Sequence, residues 1–145
     1  EKRSDGDVFT ALTVFGKGGS KQQIFQSVDP NKTFVSGAGS FSGYYGIVGF
    51  EGDKINSVYL GKGTEIAQNG YSLKSKTPNG SANLVLKGKT ITISCNQETE
   101  IGLPRASKKA WLKQGSIRKE LQDSKSGKAI LVTVPLVENG EIVLE

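Results

Sequence analysis

Turn-forming residues recur along this chain at short intervals, and this spacing constrains the fold more than any other feature. The 145 residues include 19 glycines, about 13% of the chain against a usual value of ~7%. Asn69-Gly70 is the strongest hairpin signal, and Asp29-Pro30-Asn31 is a further turn. We therefore predict a mainly β chain, an antiparallel sandwich or barrel of about ten short strands.

Two segments carry the clearest information about individual strands. Thr90–Cys95 alternates, so that Ile91, Ile93 and Cys95 share one face, which we expect to lie inward, while its threonines and Ser94 share the other. Gly37–Phe50 holds five glycines and four aromatic residues. We predict two strands there, separated near Gly43, with aromatic rings of a neighbouring strand covering the glycine gaps.

One short helix is predicted near residues 105–114. Pro104 suits the start of a helix, Ala106–Gln114 is rich in strong helix formers, and Gly115 is well placed to end it. The rival interpretation is a single long helix over Ala106–Gln122. We prefer the short helix followed by a hairpin, because Gly115 and Ser116 interrupt the longer segment.

The length predicts a single domain, residues 1–145, in which 1–7 form a mobile arm. Asn139-Gly140 is expected to close a last hairpin over Lys128–Leu144, apolar enough to pair with another protein chain or with a second copy of this one. The longest apolar run, Ala129–Val137, is far shorter than the roughly 20 residues of a membrane-spanning helix.

The composition excludes several chemistries. The chain has no histidine, which excludes Ser-His-Asp triads and histidine zinc sites, and its single cysteine excludes cysteine metal clusters. Lys87–Thr90 resembles the end of a phosphate-binding loop, but Asn83 stands where the motif needs glycine. Ser116 and Lys119 have nucleophile–base spacing, which chance readily produces in a lysine-rich segment. We predict no catalytic residue, no metal and no cofactor.

Positive charge is concentrated in residues 105–128. Eight basic and two acidic residues give this stretch +6, against +5 for the whole chain, and it contains Trp111. Basic side chains displace counterions from a polyanion, and an indole offers a stacking face. Lys17, Lys21, Tyr44 and Tyr45 would add to the surface if the fold brought them close. The residues predicted to bind a polyanion are Arg105, Lys108, Lys109, Trp111, Lys113, Arg118 and Lys119.

The amino-acid sequence is compatible with three functions. The first is a non-catalytic β module, structural or binding, that acts through its surfaces and sheet edges on other protein chains. The alternative is a small barrel that binds single-stranded nucleic acid through residues 105–128. The third is a carbohydrate-active enzyme that uses Glu98 and Glu100, which lie two apart and would share one face of a strand. A helix that simply packs Trp111 on a sheet and leaves its lysines in water would explain the basic stretch without a ligand.

Overall fold

The described part of the chain is almost entirely β-strand. The computed structural model describes the backbone of residues 2–4, 7–15, 19–36 and 39–145, and the side chains of 19–35 and 39–145. These residues form a nearly closed, barrel-like antiparallel sheet, which confirms the predicted fold class. Within these ranges no helix is long and apolar enough to cross a membrane. The first eight strands are β1 (Lys2–Ser4), β2 (Asp7–Phe15), β3 (Ser20–Ser27), β4 (Phe34–Ser36), β5 (Gly39–Gly43), β6 (Tyr45–Glu51), β7 (Lys54–Gln68) and β8 (Tyr71–Ser75).

The second half of the chain contributes eight further strands. They complete a path in the order β1-β2-β3-β6-β7-β9-β10-β16-β12-β13, and a branch in the order β4-β5-β7-β8-β11-β15-β14. The path and the branch are two parts of the same sheet that share only β7, and we call them its two layers. The remaining strands are β9 (Gly80–Lys87), β10 (Thr90–Cys95), β11 (Thr99–Leu103), β12 (Ala110–Gln114), β13 (Ile117–Glu120), β14 (Gln122–Ser126), β15 (Ala129–Val134) and β16 (Val137–Leu144).

Strand β7 passes from one layer to the other at a Gly-Lys-Gly sequence. Its first half pairs with β6 and β9, and its second half pairs with β5 and β8. At the crossing, Gly63 lies opposite Gly43, and a Cβ on Gly63 would stand 2.6 Å from the Cα of Gly43. The backbone of Lys62 has a φ of 133°, and its carbonyl accepts a 2.8 Å hydrogen bond from the amide of Tyr44. The glycines are therefore needed because two backbones come close together here.

The core lies between the two layers and follows the alternation of the strands. As predicted, Ile91, Ile93 and Cys95 of β10 are buried, and their neighbours on the strand face outward. Burial raises the pKa of the Cys95 thiol, which donates a 3.2 Å hydrogen bond to the carbonyl of Pro135. The thiol packs in the core as a small apolar group. Other side chains without exposure include Phe41, Val58, Leu60, Ile66, Leu73, Leu84, Ile101, Leu103, Ile130 and Val132.

The predicted helix near residues 105–114 is wrong, and so is the rival long helix over Ala106–Gln122. Ala110–Gln114 is strand β12, which pairs with β16 on one side and with β13 on the other. Ala110 and Leu112 are buried while Trp111 and Lys113 face outward, the two-residue period of a strand. Helix propensity is a weak preference, and packing of these two side chains in the core overrides it.

The predicted C-terminal hairpin is also wrong. Residues Val137–Leu144 form one continuous strand, β16, and Asn139-Gly140 makes no turn. Gly140 lies opposite Ile93, and a Cβ on it would stand 2.6 Å from Cδ1 of Leu112, so this glycine serves close packing. Because β16 pairs with β10 and β12, it is not an edge that another chain could extend. Binding of other protein chains stays a prediction, but the expected hairpin edge does not provide the surface for it.

The predicted N-terminal arm, residues 1–7, lies partly outside the described residues. Lys2–Ser4 form β1, which pairs with β2, and residues 1, 5 and 6 are not described. Assignment of the whole chain to one domain stays a prediction.

Candidate functional site

The structure divides the predicted polyanion site between several surfaces. Trp111 and Lys113 lie on the outer face of β12, and the register places Arg118 of β13 directly beside Lys113. Lys119 is the partner of buried Leu112, so it lies on the opposite face of the hairpin. The remaining predicted residues lie in the loop before β12, where Lys108 and Lys109 are exposed and Arg105 is half-buried.

The aromatic and basic residues of the first strands do not join this hairpin. Lys17 lies outside the described residues, and Lys21 of β3 stands over the ring of Phe50 at 4.9 Å. Tyr44 lies between β5 and β6, and Tyr45 is the first residue of β6. In the strand order, β7, β9, β10 and β16 separate β6 from β12. These residues therefore do not enlarge the predicted polyanion surface.

Trp111 is surrounded by groups that already pair with one another. The guanidinium of Arg118 lies 4.3 Å from the centre of the Trp111 rings, and the Nζ of Lys109 lies 5.7 Å away. Glu145 accepts a 3.1 Å hydrogen bond from Nε1 of Trp111 and forms a 2.5 Å ion pair with Arg118. Lys109 pairs with Glu120 at 3.1 Å. A ligand would have to displace Arg118 to stack on that side of the indole.

Glu145 gives this cluster a titration that can be measured. The hydrogen bond from Arg118, and then its charge, lower the pKa of the Glu145 carboxyl, and the Trp111 N–H and the charge of Lys109 act in the same direction. Because the pKa is lowered in the folded state, stabilisation by this carboxylate is complete above the unfolded-state pKa. It is lost as the pH falls through the folded-state value.

We expect the indole Hε1 resonance of Trp111 to titrate with a midpoint below the usual glutamate pKa, because it reports the bond to Glu145. The single tryptophan makes the resonance unambiguous. Glu145→Gln should remove the transition, whereas Glu138→Gln on an exposed position should leave it unchanged. High salt should raise the midpoint, since the pair is exposed. A midpoint above the usual value in the unmodified protein would contradict the geometry.

A groove of about 440 Å³ lies on the outer face of β7, β9 and β10. The register aligns Tyr59, Asn83 and Ser94 as direct neighbours on three successive strands. Leu136, which is 65% exposed, and Glu138 form the opposite wall. The groove is therefore built from residues far apart in sequence, on a rigid sheet surface.

Glycine shapes the aromatic end of this groove. The ring of Tyr59 packs edge-on against that of Tyr45, with centroids 6.1 Å apart and an angle of 72°. A Cβ on Gly61 would stand 2.7 Å from Cε1 of Tyr59 and 2.8 Å from Cδ1 of Tyr45. The missing side chain thus makes room for both rings, and the pair limits the motion of Tyr59.

The polar groups in the groove differ in whether they have partners. Asn96 is held in place, because its Oδ1 accepts a 2.9 Å bond from the amide of Ser81 and its Nδ2 donates to the carbonyl of Asn79. The side chains of Asn83 and Ser94 make no hydrogen bond to any residue that the structure describes. Half-buried amides and hydroxyls without protein partners can donate to and accept from a ligand.

The two carboxylates of the enzyme hypothesis lie on the other layer. Glu98 forms an ion pair with Lys76, and Glu100 on β11 lies between Lys74 and Thr133. The depression that holds both glutamates has a polar lining. A catalytic acid is usually surrounded by apolar side chains, whereas every residue that lines this depression is polar or charged. In the described part of the chain no group of three or more acidic or cysteine side chains could hold a metal ion.

Residues 1–86 match a family model, that of the endo-acting ulvan lyase C-terminal domain. The match covers more than half of the 145 residues. The chain belongs to this family. No curated protein matches it. The part that matches the ulvan lyase C-terminal domain model ends within β9, so it includes Tyr59 and Asn83 but neither Ser94 nor the Trp111 hairpin.

Sequence reasoning placed Ser94 on an outer face but did not find this groove. Tyr59 alternates out of phase with the buried Val58 and Leu60, which was the available signal that its ring faces outward. Tyr59 lies beside Asn83 and Ser94 because of the strand order. No local sequence pattern in this member of the ulvan lyase C-terminal domain family specifies that order.

Proposed function

We propose that this β-rich domain is a non-catalytic module that binds a polysaccharide along the outer face of β7, β9 and β10. The observation that carries the proposal is the alignment of an outward tyrosine, Tyr59, with the unpartnered side chains of Asn83 and Ser94 in one groove. A sugar ring has an apolar C–H face and a rim of hydroxyls, and this groove offers a surface for each.

Family membership supplies the class of polymer. The family name refers to ulvan and to an endo-acting lyase, an enzyme that cuts within long chains. A domain that holds such a polymer would keep an attached enzyme at high effective concentration on its substrate. Ulvan is therefore the ligand that we propose.

The groove is open and offers few contacts, which sets the scale of affinity. A net hydrogen bond contributes about 0.5–1.5 kcal/mol and a packed ring a similar amount, so two such bonds with one ring give roughly 1.5–4.5 kcal/mol. The upper end of this range corresponds to a Kd of about 1 mM for a short oligosaccharide. Several such contacts along a polymer would increase the apparent affinity.

The nucleic-acid alternative gains no support from the structure. Arg118 covers the indole of Trp111, and both Arg118 and Lys109 have carboxylate partners. Lys113 has no ion pair within the described residues, but a single free cation on this face is a weak phosphate site.

Tyr59→Ala is expected to weaken binding of ulvan oligosaccharides about tenfold, because it removes the ring that covers the sugar, a loss of roughly 1.4 kcal/mol. Asn83→Ala should cost a few-fold, and Tyr59→Phe should retain most of the affinity. Isothermal titration calorimetry measures each value. Gln122→Ala is the matched control, since it removes an exposed amide on the other layer. Unchanged affinity in Tyr59→Ala, in a variant with normal thermal unfolding, would refute the proposed site.

A further inference from the structure

A second cavity, of about 530 Å³, lies at one end of the barrel. It is bounded by the β6–β7 turn, the β9–β10 turn at Gly88, and the loop that follows β11. Mouths of β-barrels are a recurrent location of ligand sites. The cavity shares no residue with the groove at Tyr59. It is therefore a separate place at which this domain could hold a ligand.

The sequence places an arginine in this mouth by a local contact. Pro104 lies against Gly70 of the β7–β8 turn, whose φ of 85° suits glycine, and a Cβ there would stand 3.0 Å from Cβ of Pro104. This contact sets the next residue, Arg105, in the same cavity wall as Tyr71, the first residue of β8. Arg105 is half-buried, unlike most cations of residues 105–128.

Two cations and one carboxylate line the mouth. Lys54 and Arg105 line the cavity, and neither forms an ion pair with a residue that the structure describes. One carboxylate, Glu51, lies in the same lining, so the cavity carries a net charge of about +1. Lys109 and Arg118, by contrast, are neutralised by glutamates. Lys54 and Arg105 are therefore available to an anion in this cavity, whereas Arg118 and Lys109 beside Trp111 already have carboxylate partners.

The apolar part of the lining is as informative as the charged part. Leu86 and Ile55 form the inner surface, and Tyr71 packs partly against the core. Asn56 adds an amide at the rim. A bare inorganic ion would leave this apolar surface uncovered, whereas a ring with one charged substituent would cover it and reach Arg105 at the same time.

We infer that the mouth of the barrel is a site for an acidic sugar, whose carboxylate or sulfate group pairs with Arg105 while its ring lies over Tyr71 and Leu86. The guanidinium fork matches either oxyanion with two parallel hydrogen bonds, and Lys54 adds a second charge. The inference rests on the proposed function, since the acidic sugar would be a unit or an end of the same polysaccharide. It assigns Arg105 to a site distinct from the groove at Tyr59.

The test is a ¹H–¹⁵N NMR titration of the whole chain with glucuronate, glucose 6-sulfate, glucose and inorganic sulfate. One or both acidic sugars should shift the Arg105 and Tyr71 resonances with a Kd of about 1 mM, and glucose should not. Arg105→Ala should weaken binding at least tenfold, and Arg105→Lys should weaken it less because the charge remains. Lys113→Ala is the control and should have no effect.

Three results would overturn the inference: glucose binds as well as the acidic sugars, inorganic sulfate binds as tightly as they do, or Arg105→Ala changes nothing. The variants also separate this inference from the proposed function. Tyr59→Ala should leave the binding of the monosaccharides intact and weaken that of the polymer. If Tyr59→Ala weakens binding of the polymer and Arg105→Ala weakens binding of no ligand, the proposed groove site is supported and the site at the mouth of the barrel is refuted.

Discussion

Replacing Phe41 with alanine is expected to lower the free energy of unfolding by about 3–5 kcal/mol, the usual cost of deleting a fully buried phenylalanine. Phe41 of β5 has no exposed surface and stacks on Phe25 of β3, with centroids 5.6 Å apart and an angle of 25°. The ring thus links the two layers. Urea denaturation followed by the fluorescence of Trp111 measures the change.

Phe41→Leu is the matched control and should cost only about 1–2 kcal/mol, because leucine refills most of the volume. A second control uses Gly46, since a Cβ there would stand 2.7 Å from Cδ1 of Ile66 and 2.9 Å from Cε2 of Phe41. Gly46→Ala should be destabilising alone and less so when combined with Phe41→Ala, which opens the space. Independent, additive effects of the two substitutions would show that the ring does not cover Gly46.

This contact shows how far the glycine-rich segment could be predicted. Two strands separated near Gly43 were expected, and β5 and β6 confirm them on either side of Tyr44. Coverage of a glycine by an aromatic ring was expected from a neighbouring strand. The ring of Phe41 instead reaches Gly46 from the opposite layer, because β5 and β6 are separated by the crossing of β7. Local sequence specifies the gap, and only the topology specifies which ring fills it.

The same distinction explains the errors in the last third of the chain. Ala110–Gln114 has the composition of a helix, and five residues are too few for the strand period to stand out against it. Asn139-Gly140 has the sequence of a turn, but the glycine is required by Leu112, 28 positions earlier, against which β16 packs. In both places a tertiary contact overrides a correct local preference.

Charge density along the sequence was a poor guide to the site for a related reason. The carboxylate that pairs with Arg118 belongs to Glu145, which no window around residues 105–128 contains. The contact between Pro104 and Gly70 places the next residue, Arg105, in a different cavity. The groove at Tyr59 is formed by three strands that meet only in the folded sheet. A ligand surface of this kind is a property of strand order, and local patterns predict only which side chains face outward.

Gly63→Ala is expected to destabilise the fold by about 3 kcal/mol, near the upper end of the usual cost of inserting one methyl group into close-packed surroundings. The new Cβ would meet the Cα of Gly43 and the carbonyl oxygen of Ser42, both at 2.6 Å. Neither is the end of a flexible side chain, so the two strands would have to separate. For a chain of this length the melting temperature should fall by about 6–12 °C.

The control for Gly63→Ala is Gly127→Ala, where a Cβ meets nothing within 4 Å and the φ of 60° alone makes alanine costly, by about 1 kcal/mol. A loss at Gly63 no greater than that at Gly127 would show that the strands separate freely at the crossing. The larger loss follows from the position of Gly63 in β7. That strand carries Tyr59 into the groove in one layer and Ile66 into the core in the other. If the crossing opens, the pairing of Tyr59 with Asn83 is strained at the same time, so Gly63→Ala should also weaken ulvan binding below its melting temperature.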